Sequence, residues 1–330
     1  MLGNKDRISR NDILNKRNKS HINEGLNSNL KINKDGLTEE EFLRNYNPGN
    51  YERPSVTVDM LLFTIEDTIS DDVRKLDKKE LKILLIKRKD HPYLGQWALP
   101  GGFVNKYESL DTAAYRELRE ETNIDNVYME QLATFGDNVV EGEPRDPRTW
   151  VISTAYMALI PNRNLKPIAG DDAQDVDWFT VKKGDEVETE DGVEVTLILE
   201  NEEKNAIINY KITEKHSYRG VTKIKEPSYK LDESSTDSIA FDHYKMIDMA
   251  IDRLRNKIEY TSIAFNLVNE YFTISELQSI FELILNRKFH RMEFTRKIKN
   301  MIVETDMLNS EKGHRPAKYY KYNKDWGYKF

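Results

Sequence analysis

Gly102-Phe103-Val104-Asn105-Lys106-Tyr107-Glu108-Ser109-Leu110-Asp111-Thr112-Ala113-Ala114-Tyr115-Arg116-Glu117-Leu118-Arg119-Glu120-Glu121-Thr122-Asn123-Ile124 reads as a glycine turn, a single glutamate and an acidic helix. Leu110, Ala114 and Leu118, spaced four apart, predict a helix over 109–122. On it Glu117, Glu120 and Glu121 stand at i, i+3 and i+4, so three carboxylates share one face. Like charges packed this way repel unless cations compensate, and a hard divalent ion with oxygen ligands is the natural compensation. Mg²⁺ also accepts phosphate oxygens and water, and Arg116 stands beside the glutamates to orient one of them.

Upstream, residues 56–65 and 81–86 are β-rich, nearly continuous apolar runs that predict buried strands, with the polar segment 66–80 as a surface connection. Trp97-Ala98-Leu99-Pro100-Gly101-Gly102-Phe103 follows; its two glycines mark a tight bend or a close backbone approach. Trp97 either stacks on a base or packs under that turn, and packing is the favoured reading.

Downstream, strands are expected at 127–135, 150–159 and 176–180. Residues 193–199 and 206–212 form a hairpin joined by Asn201-Glu202-Glu203-Lys204. The polar stretch 215–238 leads to a helix over 239–259, with Met246, Ile247, Ala250, Ile251, Leu254 and Ile258 on one face. Mixed strands and helices with a helix-rich tail indicate an α+β chain.

The tail is different. Residues 263–268 suggest a short helix, Thr273-Ile274-Ser275-Glu276 is a capping box opening a second, and 291–304 is a third with Phe294, Ile298, Met301 and Ile302 inward. Arg296, Lys297 and Lys299 point outward, and a basic turn holding Lys312 and Arg315 precedes the aromatic strand 318–322. Three helices and a basic hairpin are the layout of a winged helix, whose third helix enters the major groove while the wing meets the backbone. Those five cations are the candidate DNA contacts.

Charge agrees with this division. The 330 residues carry a formal −7, but residues 262–330 hold 12 Lys+Arg against 8 Asp+Glu, so the tail is basic and the remainder acidic. With 38% hydrophobic and 32% charged residues the composition is that of a globular protein, and no apolar run approaches the ~18 residues of a spanning helix. No membrane association is expected. The absence of cysteine excludes disulfides, thiolate metal sites and cysteine nucleophiles, and a cytoplasmic location without a secretory signal is expected. Residues 1–36, rich in asparagine, read as a flexible extension; a short capped helix follows Asp35, and Pro48-Gly49 stops it.

The spacing of Gly102, Glu108, Arg116, Glu117, Leu118, Glu120, Glu121 and Ile124 resembles the Nudix hydrolase signature, G-x5-E-x7-R-E-U-x-E-E-x-G-U with U aliphatic. Asn123 stands where the signature has glycine, and Asn is the residue that replaces Gly in a left-handed helix terminus at least cost. The resemblance implies an α/β/α sandwich with a mixed sheet that cleaves a nucleoside diphosphate linked to another moiety. It implies Glu117, Glu120, Glu121 and the Gly101 carbonyl as ligands of Mg²⁺ or Mn²⁺, with Glu108 and Arg116 supporting them. The general base is left open among the box glutamates, Glu141 or Glu143, and Asp171 or Asp172.

The regions 134–137 and 145–148, with Tyr156, look like the ADP-ribose pyrophosphatase branch and related regulators. Arg88, Arg145 and Arg148 are candidate phosphate ligands, since arginine pairs bidentately with phosphate oxygens. The Ala240-Phe241-Asp242-His243 helix start and the Gly313-His314-Arg315-Pro316-Ala317 turn extend the similarity to Nudix-related transcriptional regulators of NAD metabolism, over about 37–322. The implied organisation is a Nudix domain at 37–238 with a hairpin insertion at 190–214, a linking helix at 239–260 and a winged-helix-like domain at 261–330. The implied activity is hydrolysis of ADP-ribose to AMP and ribose 5-phosphate. The alternative is a regulator that binds double-stranded DNA and senses ADP-ribose or a related nucleotide. A homodimer is expected, from the resemblance and from the apolar stripe of the 239–259 helix, which could equally be core within one chain.

Overall fold

The computed structural model describes residues 31–68, 78–122, 127–140, 142–161, 173–190, 192–309 and 317–327. The extension expected over 1–36 therefore lies mostly outside the described residues. The chain divides into two compact units between Glu52 and Arg53.

In the first unit, α1 (Glu39–Asn45) opens with a reciprocal cap: Thr38 accepts from the Glu41 amide while the Glu41 carboxylate accepts from the Thr38 amide. A 3-10 turn, Pro48–Asn50, follows it.

In the second unit the strands and helices run β1 (Ser55–Thr68), β2 (Lys78–Arg88), β3 (Trp97–Ala98), β4 (Gly101–Phe103), α2 (Leu110–Thr122) and β5 (Tyr128–Phe135). They continue with β6 (Val139–Val140), β7 (Glu143–Pro144), β8 (Val151–Leu159), β9 (Ala173–Lys183), β10 (Val187–Thr189), β11 (Gly192–Asn201), β12 (Ala206–Arg219) and β13 (Thr222–Leu231). The tail is α3 (His243–Ile258), a 3-10 turn at Ile263–Leu267, α4 (Ile274–Leu285), α5 (Arg291–Ile298), β14 (Ile302–Asn309) and β15 (Ala317–Tyr322). The principal sheet has the order β13-β12-β11-β9-β2-β1-β8-β5. It is mixed: β1 and β8 run parallel, and the other neighbours on this path run antiparallel.

The period of two along β1 decides what covers each face. Val58, Met60 and Leu62 pack with Ala113, Ala114 and Leu118 of α2. Leu61, Phe63 and Ile65 face the other way and join one large cluster with Met246, Ile247 and Leu254 of α3 and with Leu277, Phe281 and Phe294 of the tail. Helices therefore cover both faces of an α+β fold. The apolar stripe of α3 is core within one chain. Trp97 is buried edge-to-face against Phe179 at 4.6 Å, so it packs rather than stacks on a ligand. Lys183 closes β9 under α3, buried with Asp248 at 2.7 Å and Asp252 at 2.8 Å.

Three boundaries depart from the sequence reading. The stretch 215–238 is not simply connecting chain: β12 runs on to Arg219 and β13 occupies Thr222–Leu231. Helix α3 begins at His243 rather than Ile239, because Ile239 bridges Trp97, the Ala240 amide donates to the Trp97 carbonyl, and Phe241 takes a left-handed φ of 54°. Helix α5 stops at Ile298, since β-branched Ile302 and Val303 pair with Tyr322 and Lys321 in a hairpin.

Candidate functional site

The close crossing of β4 and β1 admits only glycine at position 101. Gly101 and Gly102 lie opposite Asp59 and Val58, and a Cβ on Gly101 would stand 2.3 Å from the Val58 carbonyl oxygen. A Cβ on Gly102 would stand 2.3 Å from Glu117 Oε1, so the strand passes directly over the acidic helix.

Arg116 organises the carboxylates. Its Nε donates to Glu108 Oε1 at 2.8 Å and its Nη2 to Glu108 Oε2 at 3.0 Å. Nη1 donates to Glu117 Oε1 at 2.6 Å and Glu120 Oε2 at 3.0 Å, and Nη2 also reaches the Phe103 carbonyl at 3.1 Å. Glu108 further accepts from the Asn105 amide at 2.9 Å, and the Arg116 guanidinium holds its carboxyl down, to about 2. Glu117 moves the opposite way: only 6% exposed, it is pushed up by burial despite Arg116. A buried carboxylate crowded by two others and under a strand stripped of side chains is a donor set suited to a hard divalent cation. Among the described residues no three acidic or histidine side chains yet converge in ligand geometry. Glu121 belongs to the same helix, with its side chain outside the described residues. Glu141, Asp171 and Asp172 are outside them as well; Glu143 is exposed in β7.

Beside the Gly-Gly crossing lies a cleft of about 360 Å³ whose walls include Gly101, Gly102, Arg88, Arg145, Arg148 and Phe241. The three candidate arginines are thus brought to one place, but they are held differently. Arg145 is buried, its Nε donating to Asp242 Oδ2 at 2.8 Å. Arg148 forks onto Asp146 at 3.0 and 2.7 Å. Arg88 donates to the Pro92 carbonyl at 2.7 Å, and its guanidinium lies 5.1 Å from the Phe241 ring centre; Arg148 approaches the same ring at 5.7 Å. The Arg145–Asp242 pair costs desolvation and fixes the wall, whereas Arg148 keeps a solvent-facing side able to exchange a carboxylate for a phosphate.

Asp59 in this wall was not singled out from sequence, and His243 entered only as part of a helix start, without a role. Asp59 Oδ2 accepts from Ser153 Oγ, and Asp59 Oδ1 lies 3.6 Å from His243 Nε2. His243 Nδ1 accepts from the Leu99 amide at 3.0 Å, and burial pushes its pKa down. A neutral histidine at the first residue of α3 therefore braces the strand segment that enters the Gly-Gly turn. The sequence signal for it is slight: an Asp-His pair opening a helix and an acid inside an otherwise apolar strand.

In the tail, α4 opens with the expected capping box, Thr273 with Glu276. Arg296 on α5 and Lys299, which caps its C-terminus, are exposed and pair with no carboxylate among the described residues. Lys297 is committed to Glu259, at 2.9 Å from Oε2. Lys312 and Arg315 fall between β14 and β15 in the sequence, outside the described residues.

Comparison with known proteins agrees with both halves. Residues 72–196 match the NUDIX domain model and residues 264–322 the NrtR DNA-binding winged helix domain model. The chain is 31% identical over 288 residues to an ADPR responsive transcriptional repressor of Acinetobacter baylyi, covering 86% of this chain and 88% of the repressor. It is 40% identical over 102 residues to the ADP-ribose pyrophosphatase of Methanocaldococcus jannaschii, covering 31% of this chain and 56% of that enzyme. The crystal structure of Shewanella oneidensis NrtR complexed with a 27mer DNA superimposes with a TM-score of 0.53 at 27% identity, covering 81% of this chain and 93% of that one. Two domain matches in the order the fold requires, and a relative aligned along nearly its whole length, establish that the chain belongs to the NrtR-like Nudix family, a NUDIX domain joined to a winged helix.

Proposed function

We propose that the Nudix half is a divalent-metal-dependent pyrophosphatase acting on ADP-ribose or a close nucleoside diphosphate derivative, yielding AMP and ribose 5-phosphate from ADP-ribose. The observation that carries this reading is the assembled box, in which Arg116 gathers Glu108, Glu117 and Glu120 beneath Gly102 beside an arginine-lined cleft. Glu117, Glu120, Glu121 and the Gly101 carbonyl would hold Mg²⁺ or Mn²⁺. The metal would neutralise the pyrophosphate and activate water. Arg148 and Arg88 would orient the phosphates, and Phe241 would offer an apolar face beside them.

The test is direct. Purified protein with ADP-ribose and Mg²⁺ should release AMP and ribose 5-phosphate; chelation should stop release and either Mg²⁺ or Mn²⁺ restore it. Absence of product from ADP-ribose and from a panel of nucleotide sugars would overturn the enzyme reading.

A second reading, a DNA-binding regulator that senses the same nucleotide, is favoured by the winged-helix match and by the outward cations of α5. It requires sequence-dependent binding, at physiological salt, to the duplex upstream of the protein's own gene. The two readings are compatible in one chain. A homodimer goes with either reading and draws its support from the resemblance alone, because the α3 stripe lies inside one chain.

A further inference from the structure

The ribbon formed by the outer ends of β12 and β13 lies between the two segments matched to known domains, which end at 196 and resume at 264. From Lys215 to Glu226 it contains four lysines and arginines and a single acid, Glu226, opposite Lys215 and accepting from Ser217 Oγ at 2.8 Å. β11 accompanies β12 only as far as Val193 opposite Glu214. Beyond that register, residues 215–219 pair solely with 222–226 among the described residues, as a free two-stranded overhang turning at Gly220. Tyr218 is 70% exposed and Val221 99%.

Its faces follow from the ladder. Ile208, Tyr210, Ile212 and Glu214 are buried, so His216 and Tyr218 continue the row on the side covered by α3. Lys225 stands opposite His216 and Lys223 opposite Tyr218, and directly opposed residues share a face. Lys215 and Arg219 occupy the reverse side. Lys225 is engaged by Glu214 and Glu186, whereas Lys215, Arg219 and Lys223 pair with no carboxylate among the described residues.

The overhang projects from the winged-helix end of the sheet. β1 ends, β2 begins and β9 ends at the same edge, where Ile65, Asp67 and Lys79 line a pocket with Phe272, Glu276 and Ile280 of the tail. Asp185 accepts from Asn286, the last-turn cap of α4, at 2.6 Å, and its neighbour Glu186 lies 3.8 Å from Lys225. The nucleotide cleft is at the other edge, at Thr57, Asp59 and Arg88.

We propose that this ribbon is a second DNA-contacting element, which lays Arg219 and Lys223 against the phosphate backbone of the duplex that the winged helix engages. It rests on DNA binding by the winged helix. Arg219 and Lys223, on opposite faces of a narrow strand pair with no acid opposite either and an exposed tyrosine between them, fit a continuous polyanion better than the mixed-charge surface of a second copy.

The experiment measures binding of the full chain to a labelled mixed-sequence duplex about three helical turns long, across a KCl series. The double variant Arg219→Ala/Lys223→Ala should flatten the log–log salt dependence by about two units, and Arg219→Lys/Lys223→Arg should restore it. ADP-ribose binding should not change. An unaltered salt slope in the double alanine variant, with binding weakened by Arg296→Ala, overturns the ribbon contact and leaves the winged-helix reading standing. No binding by the unmodified chain overturns both. A shift in sedimenting mass in place of a change in DNA binding assigns the ribbon to a second copy, which also overturns the proposal.

Discussion

The helices α2 and α5 each carry a row of like charge, and the fold treats them in opposite ways. On α2 the row is gathered at one point: the Arg116 guanidinium holds Glu117 and Glu120 together with Glu108 from the preceding loop, and Glu117 is buried under Gly102. At the end of α5 most of the row is left in water: Lys297 is tied to Glu259, but Arg296 and the capping Lys299 stand outside every described ion pair. Charge fixed in a half-dry pocket suits a small hard ion that must be held in one geometry. Charge left hydrated suits a polyanion, whose binding is driven by release of its counterions.

That contrast can be broken most severely at Glu117. Glu117→Gln should lower kcat/KM on ADP-ribose by about 10³-fold, roughly 4 kcal/mol of transition-state stabilisation, while the DNA salt slope stays as it was. A parallel loss of DNA binding would show that the two ends are not separable. Next in size is the buried pair in the cleft wall. Arg145→Ala leaves Asp242 buried and alone and should cost about 3 kcal/mol in denaturant unfolding, more than the double variant Arg145→Ala/Asp242→Ala.

Arg296→Ala tests the exposed row. It should leave folding stability nearly unchanged and flatten the salt dependence of duplex binding by about one unit. The smallest effect concerns acid. Because Arg116 lowers the Glu108 pKa below its ordinary 4.5, this group stabilises the fold fully above that value. The contribution then disappears as pH falls through the lowered value near 2. In Glu108→Gln the decline of unfolding free energy over that acid range should be shallower.

Much of this was legible from residues alone. The acidic helix, the strands flanking it and the capping box of α4 rest on local periodicity and on side chains that cap their own helix, so distant neighbours do not alter them. The ribbon was not legible: an overhang wet on both faces has no apolar alternation to announce it, and Lys223 to Glu226 reads as loop. The start of α3 was hidden for another reason. Ile239 and Ala240 suit a helix, but the edge of Trp97 offers them a bridge, and tertiary pairing wins. The role of His243 depends on an amide 144 residues away, which no local pattern reports.

The large apolar cluster that joins Leu61 and Phe63 of β1 to Phe281 and Phe294 of the tail bears on how the molecule comes apart. Sheet and tail share this core directly: α4 rests on β2, and Arg255 bridges the carbonyls of Lys183 and Ile284 at 3.0 and 3.1 Å. The residues matched to a NUDIX domain and those matched to a winged helix are thus one cooperative melting unit rather than beads on a string. Calorimetry of residues 53–330 should show a single transition, and a cut near Tyr260 should leave a sheet face that clumps in solution.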